Sequence, residues 1–198
     1  SSPSPPEQII TNTTVTLGPM ADVLASDIFG PFPEGIGGIR LSSTFTASNS
    51  GYIITYGIPL KSDLPDAIIA AIAQFKAAGH HSHLFSEPIR ILQSDSDACY
   101  KSARVREILR ENGIRSQFAA PHQHEQAGAA ERVHQTLGYG LATIYAGAPW
   151  MPKSCWLYAL KYLTTCLNLQ PKLHLHLNKT PFEQFYGYKP SFSITALL

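Results

Sequence analysis

Cysteine is scarce in this chain of 198 residues: Cys99, Cys155 and Cys166 form no CxxC pair and leave an odd thiol. That argues against a disulfide-stapled secreted scaffold and points to a reducing compartment. Long apolar runs are missing too. No stretch approaches the roughly 18 residues of a spanning helix, and the leading "SSPSPPEQ" has neither the basic flank nor the apolar run of a signal peptide. A soluble chain with no membrane partner is expected. An excess of either charge is also absent: 15 Lys+Arg stand against 14 Asp+Glu, a formal +1. Net charge therefore announces no nucleic-acid partner, and any such partner must be argued from a site. There is no initiator Met and the chain stops at "ITALL", as expected of a segment of a longer polypeptide. What is present is apolar material, 44% hydrophobic and 10% aromatic. This suffices for one core, and the length is too short for two comfortable domains.

Turn residues divide the chain into elements. Residues 1–18, rich in Ser, Pro and Thr, read as a linker or lead-in. "ADVLASDIF" (21–29), the stretch from Ile39 to Phe45 and "GYIITYGI" (51–58) carry β-favouring residues with partial alternation, separated by "GPFPEGIGG" and "SNSG". A three-stranded meander is predicted. "DLPDAIIAAIAQFKAAG" follows as a helix, with Asp63 as candidate N-cap, Pro65 in the first turn, Ile68, Ile69, Ile72 and Phe75 at helical spacing, and Gly79 at the end. "PIRILQSD" (88–95) reads as a strand, and "KSARVREILRENG" as a helix burying Val105, Ile108 and Leu109 before Gly113. "IRSQFAAP" is a further strand. A His/Gln/Gly loop, a helix from about Ala129, the "APWMP" break and a helix through "CWLYALKYLTTCLN" complete the order. There is no internal repeat.

This order describes a mixed α/β sheet and places Asp27 at the end of the first strand, Asp95 at the end of the fourth, and Glu131 at the opening of the next helix. Groups at the ends of neighbouring strands converge in such sheets. Three converging carboxylates repel one another unless a cation neutralises them. Oxygen ligands without sulfur point to Mg²⁺ or Mn²⁺, and two such ions suit phosphodiester chemistry. The thirty-five residues between Asp95 and Glu131 do not by themselves discriminate, because acids recur at any chosen separation by chance.

The surrounding segments do discriminate. "SDIFGPFP", "LQSDSDACYKS", "GIRSQFAAPHQHEQAGAAERVHQTL", and "WLYALKYLTTCLNLQP" with "TPFEQFYGYKP" resemble, in order, the first-aspartate, second-aspartate, glutamate and distal-helix segments of retroviral-type integrase catalytic cores. The similarity is to the copia-type LTR retrotransposon branch and covers residues 19–190, leaving 191–198 as a tail. The resemblance implies an RNase H-like mixed five-stranded sheet flanked by helices, with Asp27, Asp95 and Glu131 as the catalytic, metal-binding triad for two Mg²⁺ or Mn²⁺ ions. It further implies 3′-end processing of element DNA followed by strand transfer into target DNA, with no covalent enzyme intermediate. A homo-oligomer, other domains of a Pol polyprotein as partners, and an intracellular place in the nucleus or a cytoplasmic virus-like particle are implied as well.

Departures from the family pattern are specific. Ala127 stands where Asn is common. Ser96, Asp97, Ala98 and Cys99 replace a Gly-rich turn with an acidic residue before Tyr. Ala47 takes the place of an aspartate ahead of Ser50, and Gln135 that of a basic residue.

Alternatives stand beside each reading. Asp27 could be an ordinary strand-end carboxylate. Asp97 competes with Asp95, since i and i+2 share a strand face. Glu131 in a first helical turn would be favoured by the helix dipole without any function. "HHSH" (80–83) and "HQH" (122–124) invite a zinc reading, against which solvated loops are the simpler account. Lys101, Arg104, Arg106 and Arg132 are candidate DNA contacts, as is His134, for which surface histidine is the bland reading and phosphate contact, shared with His124, the functional one. Trp150 and Trp156 are expected to pack in the core. At the level of function, the rivals are an inactive, repurposed DNA- or protein-binding domain and an RNase H-like nuclease that cuts without joining.

Overall fold

The computed structural model describes residues 23–79, 89–118, 124–172 and 179–190, without the side chains of 78, 79 and 124–131. The 1–18 lead-in, the 191–198 tail, "HHSH", "HQH" and the His124 and Ala127 side chains lie outside the described residues. Five strands, β1 (Val23–Phe29), β2 (Leu41–Ala47), β3 (Ile53–Ile58), β4 (Ile91–Ser94) and β5 (Arg115–Phe118), form one sheet of order β3-β2-β1-β4-β5. The meander β1–β2–β3 is antiparallel, whereas β4 pairs in parallel with β1 and β5. This is the mixed α/β sheet expected from the sequence.

Alternation along the strands sends side chains into two cores. On one face Leu24, Phe45, Ile54 and Leu92 pack with Ile68 and Ile72 of α1 (Leu64–Gly79), Val105 and Ile108 of α2 (Ala103–Glu111) and Phe185 of α5 (Pro181–Tyr186). On the other, Leu137 and Leu141 of α3 (His124–Gly147) meet Trp156, Leu157 and Leu160 of α4 (Trp156–Asn168), with Phe29, Phe32 and Ile39 beneath them. Helices thus cover both faces, the arrangement that a sheet apolar on both sides requires.

Local signals explain most boundaries. Ser102 Oγ accepts a hydrogen bond from the Val105 N–H at 3.3 Å and starts α2, and Gly113, with φ +68°, supplies the left-handed turn after it. Thr180 and Glu183 form a reciprocal capping box on α5.

Four expectations are corrected. Asp27 lies inside β1, two residues before its end. Asp63 does not cap α1: a 3-10 turn, Lys61–Asp63, precedes the helix, and the Asp63 carboxylate accepts the Leu60 N–H at 3.0 Å. Ile69 points outward, because α1 is buried along Leu64, Ile68 and Ile72, one residue behind it. Trp150 sits exposed on the turn after α3, while Trp156 is the buried tryptophan, its Nε1–H donating to the Pro33 carbonyl at 2.9 Å.

α3 also begins earlier than expected, at His124. Gly128 costs a helix about 1 kcal/mol relative to Ala. Its neighbours Ala127, Ala129 and Ala130 are the strongest helix formers, so the helix runs through it. Glu131 therefore stands in the third turn of α3, too deep for the terminal dipole alone to account for it.

Candidate active site

The parallel register of β1 and β4 ends with Ala25 opposite Gln93. Two residues further along each chain stand Asp27, still within β1, and Asp95, just past the end of β4. The register thus carries the two acids to the same end of the sheet, close enough for the Asp95 charge to act on the Asp27 carboxyl.

The electrostatics register that closeness. Burial raises the Asp27 carboxyl above its usual range, and Asp95 and Asp97 push in the same direction, while His134 and the Ile28 N–H oppose them. Asp27 Oδ1 accepts that N–H at 2.7 Å, and Oδ2 lies 3.3 Å from His134 Nδ1. The imidazole is itself stacked on Phe29, with ring centroids 4.9 Å apart and planes 22° apart. Burial lowers its pKa and Asp27 raises it, with burial prevailing. His134 thus reaches Asp27 as a part-buried polar contact.

Asp95 is exposed and leads a turn tied by side chains. Its Oδ1 accepts the Asp97 N–H at 3.1 Å. Asp97 in turn accepts the Cys99 N–H at 3.2 Å and pairs with Lys61. The Lys61 contact, followed by the Cys99 N–H, holds the Asp97 carboxyl below its usual range. Burial, then the Asp97 charge, pushes the Cys99 thiol up to about 11, which leaves it an inert thiol at neutral pH. Beneath this turn, the buried Tyr100 hydroxyl lies 2.8 Å from Ser26 Oγ and ties it to β1.

Of the three expected ligands, the structure brings Asp27 and Asp95 together. Position 131 lies one helical turn before His134 on α3, and residues three apart share a helix face; the Glu131 side chain lies outside the described residues. Among the described residues, no group of three or more His, Cys, Asp and Glu side chains is placed to hold a metal ion. Two neighbouring carboxylates, of which Asp27 is raised by burial and by nearby acids, are nevertheless a hard oxygen donor pair, the chemistry that suits Mg²⁺ or Mn²⁺.

The expected basic rim is largely engaged within the protein. Lys101 Nζ sits 5.2 Å over the Phe118 ring, Arg104 pairs with Glu107 at 2.7 Å, and Arg106 Nε donates to the Lys101 carbonyl at 3.0 Å. Arg132 is exposed on α3. Lys61 is the cation that sequence reasoning missed. It lies 36 residues before Asp97, and no local pattern announces the contact.

No family model matches the chain. It is 26% identical over 155 residues to the Retrovirus-related Pol polyprotein from transposon TNT 1-94 of Nicotiana tabacum, covering 78% of this chain. It is 24% identical over 167 residues to the corresponding polyprotein from transposon 412 of Drosophila melanogaster, covering 84% of this chain. The aligned regions make up 11% and 12% of those polyproteins, so the chain spans about a tenth of each. Among solved structures, the fold matches a chain of the simian T-cell lymphotropic virus intasome in complex with the PP2A regulatory subunit B56 gamma, with TM-score 0.65, 18% identity, and coverage of 89% of this chain and 58% of that one. It also matches the catalytic core domain of BIV integrase, with TM-score 0.59, 20% identity, and coverage of 84% and 95%. The chain shares the fold of these structures, a mixed five-stranded sheet flanked by helices.

Proposed function

We propose that this chain, similar in sequence to retrotransposon Pol polyproteins and in fold to retroviral integrase cores, is the catalytic core of a copia-type retrotransposon integrase. In this reading Asp27, Asp95 and Glu131 hold two divalent cations, Mg²⁺ or Mn²⁺, and the domain trims element DNA at its 3′ ends and joins the exposed 3′-hydroxyls to target DNA. The observation that carries the reading is that the parallel register of β1 and β4 leads Asp27, within β1, and Asp95, just past β4, to the same end of the sheet, the Asp27 carboxyl being raised by burial and by its acidic neighbours. Such a site is poorly suited to two bare anions and well suited to a cation. Bound there, the cations would supply activation of the attacking oxygen and stabilisation of the leaving one.

The chain's own residues hold the ligands in place. The Ile28 N–H fixes one oxygen of Asp27 and His134, stacked on Phe29, faces the other. The Tyr100–Ser26 contact anchors the turn that carries Asp95. DNA, a second copy of the chain and other domains of a Pol polyprotein are the proposed partners, in the nucleus or a cytoplasmic virus-like particle.

The departures at Ala127 and Gln135 favour a second reading, a repurposed domain that keeps the fold without the chemistry. Calorimetric titration of Mn²⁺ into the wild type, Asp95→Asn and Glu131→Gln, followed by a strand-transfer assay on a pre-trimmed DNA end, separates them. Metal binding by the wild type, its loss in both variants and a joined product are expected of the integrase. Cleavage without joining identifies a nuclease, and no metal binding even with DNA present identifies the repurposed domain.

A further inference from the structure

We infer that Lys61 and Asp97 are positioning residues that set the direction in which the Asp95 carboxylate leaves the end of β4. The inference rests on the reading of Asp95 as a metal ligand.

The sheet ceases to hold the backbone just where Asp95 begins. The last ladder partner of β4 is Ser94, paired with Phe118 of β5, and Asp95 itself is exposed. Beyond that point the backbone is held by turn hydrogen bonds, including Tyr100 N–H to the Asp97 carbonyl at 3.2 Å and Lys101 N–H to the Ala98 carbonyl at 3.1 Å. The Asp95 carboxylate is fixed within this turn by the Asp97 N–H, so its orientation follows that of residue 97. Residue 97 is fixed in turn by its own side chain, which grips the Cys99 N–H on one oxygen and Lys61 on the other.

Lys61 makes a firm anchor. It opens the 3-10 turn closed by the Asp63 carboxylate on the Leu60 N–H and by the Asp63 N–H on the Leu60 carbonyl, both at 3.0 Å. That turn runs directly into α1, whose Leu64 and Ile68 are fully buried. The brace therefore links a packed helix to the open end of a strand.

Its energetics suit orientation better than stability. Lys61 is half exposed and Asp97 about a quarter, and exposed ion pairs contribute little to folding.

The test uses the whole chain and two measurements, amide hydrogen exchange in metal-free protein and Mn²⁺ affinity by calorimetry, on wild type, Lys61→Met, Asp97→Asn and the conservative Lys61→Arg. Lys61→Met and Asp97→Asn are expected to speed exchange at the amides of residues 97 and 99 and to weaken Mn²⁺ binding about 10-fold, the lower end of losses seen when groups supporting a metal ligand are removed. Lys61→Arg is expected to stay close to wild type in both, and all variants to melt near the wild-type temperature. Unchanged exchange at residues 97 and 99 overturns the brace and leaves the reading of the site intact. Faster exchange with unchanged Mn²⁺ affinity overturns the positioning role. A wild type that binds no Mn²⁺ overturns the reading of the site and the inference with it.

Discussion

Asp27 and His134 show how a buried titratable pair at the proposed site opposes the stability of the fold that carries it. Burial raises the Asp27 carboxyl above its ordinary 3.8, so the native state favours the protonated acid. That favourable contribution is fully present below pH 3.8 and is lost as pH rises through the raised native value. Asp27→Asn is therefore expected to raise the melting temperature of the metal-free protein at neutral pH while abolishing Mn²⁺ binding. The gain should vanish in acid, where both proteins are uncharged at this position; scanning fluorimetry across pH checks it. His134 has the opposite sign. Burial holds its pKa below the ordinary 6.5, so between those values the unfolded chain binds more protons than the native one. Stability is full above 6.5 and falls as pH drops through that window. His134→Gln is expected to flatten this slope, measured by urea midpoints at about pH 7.5 and about pH 5.5.

At the scale of elements, the edge strand β3 is held by a side chain standing in for a sixth strand. Asn168, the last residue of α4, donates from Nδ2 to the Ile53 carbonyl and accepts the Ile53 N–H on Oδ1, both at 2.8 Å and buried. Replacing it with Leu keeps the bulk and strands both backbone groups, at a cost of roughly 2–4 kcal/mol. Urea unfolding of Asn168→Leu is expected to show a lowered midpoint with an unchanged slope. The order of elements was legible in the sequence because periodicity and caps are local: Val105, Ile108 and Leu109 announce the buried face of α2, and Ser102 and Gly113 bracket it. What was not legible depends on contacts distant in sequence or on competition between local signals. Asp63 looked like a helix cap because the 3-10 turn that uses its carboxylate leaves no pattern of its own. The start of α3 is hidden because Gly128 reads as loop chemistry while the alanines around it carry the helix. Around the candidate site, the segments that hold Asp27 and Asp95 stand out in the sequence, whereas Lys61 reaches Asp97 across 36 residues and Phe29 meets His134 only once α3 crosses β1.

For the whole molecule, the near-balance of charge sets how the proposed DNA partner is held. The chain carries 15 Lys+Arg against 14 Asp+Glu. Lys101, Arg104 and Arg106 spend part of their capacity on Phe118, Glu107 and a backbone carbonyl. Each phosphate neutralised contributes about 0.9 to the slope of log affinity against log salt on duplex DNA. A single copy gripping DNA through Arg132 and one or two partly released neighbours should therefore give a slope of magnitude roughly 2–3, with weak binding overall. Fluorescence anisotropy with a labelled duplex between about 50 and 200 mM salt reads that slope directly. Arg132→Ala is expected to lower it by about one contact, and Arg104→Ala, which breaks an internal pair, by much less. A slope well above about 5 would require a basic surface larger than the rim beside the proposed site. Its growth with protein concentration would identify that surface as an assembly of several copies.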